Sequence, residues 1–84
     1  MPKINKTILV VEDEQKIANL LQDYLEQSGY AAHLIDNGLE VVDYVKSNAC
    51  DLLLLDLMLP GKDGLTICKE TRTFFNGPIL MLTA

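Results

Sequence analysis

Residues 52–64, LLLLDLMLPGKDG, constrain the fold of this chain more than any other stretch. Four consecutive leucines run into a single carboxylate, Asp56. The Leu59-Pro60-Gly61 break and the Asp63-Gly64 pair follow. A short apolar run bounded by turn residues reads as a strand covered on both faces. An unpaired carboxylate is costly to bury, so the charge marks where the strand leaves the core. Asp56 is therefore expected at the carboxyl edge of a central strand, carried into a stiff loop. Open α/β sheets place their chemistry at that edge.

The remaining chain supplies partners for that strand. Thr7-Ile8-Leu9-Val10-Val11 is an apolar, β-branched run that stops at Glu12-Asp13-Glu14. Ile17, Leu20, Leu21, Tyr24 and Leu25 then recur at the spacing of one helix face. Asp13 or Glu14 can cap that helix, and Ser28-Gly29 ends it. Residues 30–35 read as a second strand, the weakest and the one expected at an edge. Asp36-Asn37-Gly38 turns the chain and supplies a cap. A second helix is expected over about 39–47, with Val41, Val42 and Val45 inward. Asp63 caps a third helix over about 64–74, with Leu65 and Cys68 inward. Asn76-Gly77-Pro78 turns into a last strand, residues 79–82, which reaches Thr83 and Ala84. Strands alternating with helices imply a parallel sheet covered on both faces with right-handed crossovers.

Composition bounds the function. The 84 residues allow at most one domain. Seven basic against twelve acidic side chains give a net charge of −5, which argues against a nucleic-acid surface and fits a taste for cations. Cys50 and Cys68 belong to no C-x-x-C motif or Cys/His cluster and read as reduced, buried thiols of a cytoplasmic protein. No apolar run approaches the ~20 residues of a membrane span, and MPKINKT lacks the apolar core of a secretion signal. His33 stands alone on the second strand. Phe74 and Phe75 read as core and rim.

Three strands end in polar groups: Glu12 and Asp13, Asp56, and Thr83. Parallel strands present their carboxyl ends on one side, so these groups converge if the three strands are neighbours. Gathered carboxylates repel one another, which raises their pKa values unless a cation is present. Oxygen ligands with partial hydration and a nearby phosphate suit Mg²⁺. An aspartate beside such an ion can act as a nucleophile toward a phosphoryl group. Each residue has a plainer reading alone. Glu12 and Asp13 could be first-turn helix acids, Asp56 a solvated strand end, and Thr83 structural. The joint pattern is far more specific than its parts.

That pattern, ILVVEDE, LLLLDLMLPGKDG and PILMLTA, resembles the receiver domain of bacterial two-component response regulators. The LMLPGKDG wording resembles the OmpR/PhoB subfamily of winged-helix transcription regulators. The resemblance implies a flavodoxin-like (CheY-like), doubly wound parallel sheet in the order 2-1-3-4. It implies that Asp56 accepts a phosphoryl group from a sensor histidine kinase. Asp13, Glu12 and the backbone carbonyl of Met58 would hold Mg²⁺ with Asp56. Thr83 would be the switch hydroxyl, and the Ala84 amide would help bind the phosphoryl group. DNA would be reached only through a separate output domain.

Set against the family, the chain reads as the N-terminal part of a single receiver domain. A fifth strand with its lysine, and the last two helices, are missing from these 84 residues. Weak phosphorylation and self-association of the exposed apolar surface are the expected consequences. Two other functions are weaker. A haloacid-dehalogenase-type phosphatase needs a second aspartate two positions beyond the nucleophile, where Met58 stands. A receiver-like interaction module that takes no phosphate is the other alternative.

Overall fold

Residues 6–82 are described by the computed structural model. Strands β1 (Thr7–Val11), β2 (Ala31–Ile35), β3 (Leu52–Asp56) and β4 (Ile79–Leu82) form one parallel sheet in the order β2-β1-β3-β4. This is the expected flavodoxin-like order, with β2 at an edge. Registry is continuous across the sheet: Leu9 pairs with His33 and Leu53, and Leu53 pairs with Ile79.

The alternation of side chains along each strand builds two apolar layers. On one face, Leu9, Val11, Ile35, Leu53 and Leu55 pack against Val41 and Val45 of α2 (Val41–Ser47) and Ile67 of α3 (Gly64–Thr71), with Phe75 closing the layer. On the other face, Ile8, Val10 and Leu54 pack against Leu21 and Leu25 of α1 (Gln15–Gln27). The leucine run is buried because β3 lies between β1 and β4 and is covered from both sides. Leu53 and Leu55 are fully buried.

Helix α1 differs from its sequence reading in rotation. At about 100° per residue, Ala18, Leu21 and Leu25 gather on one flank of the apolar stripe. Only that flank meets the sheet. Ile17, Leu20 and Tyr24 lie on the other flank, and Leu20 is 70% exposed. Neither Asp13 nor Glu14 caps the helix: Glu14 occupies the N-cap position without a side-chain bond. The C-terminal end matches the expectation. Gly29 adopts φ 97°, and the Tyr30 amide donates to the Leu25 carbonyl at 3.0 Å, closing a Schellman-type turn.

The second helical segment opens as a 3₁₀ turn, Gly38–Glu40, with the Asn37 side chain accepting from the Leu39 amide at 2.8 Å. Helix α3 starts where expected, Asp63 accepting from the Thr66 amide at 2.9 Å. It ends at Thr71, three residues before the expected 74. Thr71 and Thr73 are poor helix formers, and the Thr73 hydroxyl donates to the Glu70 carbonyl. Arg72 then ties the chain down, donating to the carbonyls of Phe75 at 2.9 Å and Gly77 at 2.7 Å. Leu65, expected inward, is 60% exposed, and Ile67 takes the core position instead. Phe75 is buried and Phe74 sits at the rim, where the Lys46 ammonium lies 5.4 Å from its ring centroid. Cys50 and Cys68 are free thiols, half-buried rather than buried. His33 stacks on Tyr44 with ring centroids 4.4 Å apart.

Candidate functional site

The carboxyl ends of β1 and β3 are neighbours because Val11 pairs with Leu55. Continuing that register by one residue brings Glu12 beside Asp56. Each of Glu12, Asp13 and Asp56 offers a carboxylate oxygen within 4.8 Å of the others. The sequence-based convergence of these three residues is thus realised by the sheet order. Thr83 and Ala84 lie outside the described residues.

The three carboxylates differ in environment. Glu12 is only 7% exposed, Asp56 is half-buried and Asp13 is exposed. The Glu12 backbone amide continues the ladder onto the Ile35 carbonyl at 3.0 Å, which fixes its direction. Its carboxylate accepts from the Glu14 amide at 3.1 Å. Burial pushes the Glu12 carboxyl above its ordinary value of 4.5, and the carboxylates of Asp56 and Asp13 push the same way. The Glu14 amide opposes them. Acids crowded in this way, partly open to solvent, suit a hard divalent cation with room for water or phosphate oxygens.

Asp56 is tied to the loop that follows it. Its Oδ1 accepts from the Met58 amide at 3.1 Å, and the Leu57 amide donates to the Leu82 carbonyl of β4 at 3.2 Å. The Gly64 amide returns to the Leu57 carbonyl at 3.2 Å, so the loop closes at its base. The Met58 side chain is exposed. Beneath the loop lie Asn37 and Gly38, which the sequence marked only as a turn and a cap. The Gly38 amide donates to the Pro60 carbonyl at 3.0 Å. The asparagine-glycine pair was visible in the chain, but nothing local revealed its partner.

Compared with known proteins, the sequence matches the response regulator receiver domain family over residues 8–84. The chain belongs to that family. This receiver sequence is 56% identical over 77 residues to the transcriptional regulatory protein BaeR of Escherichia coli O6:H1, covering 92% of the chain and 32% of BaeR. The BeF3-activated N-terminal receiver domain of Klebsiella pneumoniae RstA has a TM-score of 0.89 and 36% identity over 93% of this chain and 67% of that one. The Thermotoga maritima response regulator TrrA, solved in complex with Mg²⁺-BeF, has a TM-score of 0.87 and 39% identity over 94% of this chain and 70% of that one. The receiver sequence therefore spans about a third of the length of BaeR.

Proposed function

We propose that this chain is the phosphoacceptor portion of a two-component response regulator, a signalling switch and not a turnover enzyme. The observation that carries this reading is the convergence of Glu12, Asp13 and Asp56 at the carboxyl edge of the sheet. Asp56 attacks the phosphorus of a histidine-bound phosphoryl group. A carboxylate O–P bond forms as the donor's N–P bond breaks, and the histidine nitrogen keeps the electron pair. Asp56 suits this role because its strand is held on both sides while its carboxylate stays half-exposed.

Asp13, Glu12, Asp56 and the Met58 carbonyl would hold Mg²⁺, and the donor set fits it: oxygen only, crowded and anionic. When bound, the ion offsets charge on the transferring phosphoryl oxygens. Thr83 as switch hydroxyl and the Ala84 amide as a phosphoryl contact rest on the family resemblance. So does the N-terminal portion of a receiver domain as the identity of residues 1–84. The donor would be a sensor histidine kinase, and DNA would be reached through an output domain outside this sequence. The BaeR likeness supports transcription control. No helix among the described residues is long and apolar enough to cross a membrane, and we place the protein in the cytoplasm, where the phosphodonor would be.

Titrating the chain with Mg²⁺ by calorimetry tests the site. Asp13→Asn and Asp56→Asn should each weaken binding by about tenfold or more, by analogy with the loss of groups around metal sites. Binding of equal strength to wild type and both variants would place the ion elsewhere.

A further inference from the structure

We infer that Asn37 and Gly38, the cap and first residue of the 3₁₀ turn after β2, are positioning residues that set the cation affinity of the Asp56 site through the loop 57–63. The inference rests on the proposed role of the Met58 carbonyl. Two loops meet here, and each carries a glycine where the other comes close: the Lys62 backbone at Gly38, and the Asn37 side chain at Gly61. Gly38 is buried, and its amide donates to the Pro60 carbonyl at 3.0 Å. A Cβ on Gly38 would collide with the Lys62 carbonyl oxygen and would stand 2.9 Å from Ile67 Cδ1. In return, Gly61 adopts φ 89°, and a Cβ there would stand 2.5 Å from Asn37 Oδ1. Asn37 cannot swing away freely, because the same oxygen accepts from the Leu39 amide at 2.8 Å.

The loop has little room to retreat from this contact. Lys62 is ion-paired to Glu70 of α3 at 2.7 Å, and Ile67 is fully buried beneath it. At the loop's other end the Met58 amide is held on Asp56 Oδ1. A push at Pro60–Lys62 is therefore passed toward Met58 rather than absorbed in solvent. The turn after the edge strand thereby acts on the ion site without touching the ion.

Gly38→Ala tests this, with Gly77→Ala as the control. Gly77 lies just before β4, at the opposite end of the sheet, and a Cβ there would stand 2.5 Å from Phe75 Cζ and 3.0 Å from the Asp51 carbonyl oxygen. Both variants crowd a tight site, but only one crowds the loop. Mg²⁺ affinity is read by calorimetry, and amide exchange at Met58–Gly64 is read without ion. Gly38→Ala should weaken Mg²⁺ binding about tenfold, the scale of losses around metal sites, and speed loop exchange. Gly77→Ala should lower the urea midpoint and change neither. If Gly38→Ala does not fold, Asn37→Ala carries the test: it removes the oxygen that faces Gly61, with the same sign expected at a smaller factor. A folded Gly38→Ala with wild-type affinity and exchange overturns the inference, as does Gly77→Ala weakening Mg²⁺ equally. Failure of the parent reading looks different. Wild type then shows no Mg²⁺ binding while loop exchange still responds to Gly38→Ala, and the role in ion affinity falls with it.

Discussion

Asp56 stands one register step beyond the Val11–Leu55 pair, which sets its carboxylate beside that of Glu12. The pairing makes the ion-free site self-repelling, and the effect should be visible in folding. Folded Glu12 holds its proton to higher pH than the unfolded chain does, so stability from the protonated form falls as pH rises above 4.5. Ion-free Glu12→Gln should therefore have a higher urea midpoint than wild type near neutrality, with the gap closing below pH 4.5. Excess Mg²⁺ should narrow or invert the gap. A neutral-pH loss of stability in ion-free Glu12→Gln would contradict this.

Thr71 is fully buried in α3, and its hydroxyl has no hydrogen-bond partner among the described residues. Valine has nearly the same shape without that cost. Thr71→Val should stabilise the chain by about 1 kcal/mol, the scale of an unsatisfied buried hydroxyl. Urea unfolding followed by circular dichroism measures it, and destabilisation would show that the hydroxyl finds a partner in solution.

Ile67 and Leu65 are two positions apart in α3 and sit on opposite sides of it. Ile67→Ala should cost about 2–5 kcal/mol, most of what a domain this small has to lose. Leu65→Ala should stay within about 0.5 kcal/mol. Equal losses would put α3 in the wrong rotation.

Leu20, Tyr24 and Leu80 are large apolar side chains in solvent, and Leu80 lies on the α1 side because it pairs with buried Leu54. The 84-residue chain should self-associate with rising concentration through this surface. Light scattering of wild type against Leu20→Lys with Leu80→Lys checks it. The double variant should be smaller on average, and a wild-type monomer at high concentration would refute the idea.

What could be read in advance follows the range of the forces involved. The bounds of β1, β3 and β4 were plain because apolar runs and turn residues are local signals. The meeting of Glu12, Asp13 and Asp56 was plain because parallel strands share a carboxyl edge. The rotation of α1 was not, since periodicity defines a stripe while packing chooses which flank meets the sheet. Leu65 was mistaken for Ile67 for the same reason. The Gly38–Pro60 contact joins residues far apart in the chain, and neither residue announces the other.

Phosphoryl transfer to Asp56 is the central claim, and intact mass with site mapping tests it most directly. The chain is incubated with a small-molecule phosphodonor, with and without Mg²⁺; intact mass is read directly, and the site is mapped on a second portion by borohydride reduction, which expels phosphate and converts the phosphorylated aspartate to homoserine. One phosphoryl group should be added, substoichiometrically, only with Mg²⁺, at Asp56, and not in Asp56→Asn. Modification that persists in Asp56→Asn, maps to another residue or ignores Mg²⁺ would contradict the account.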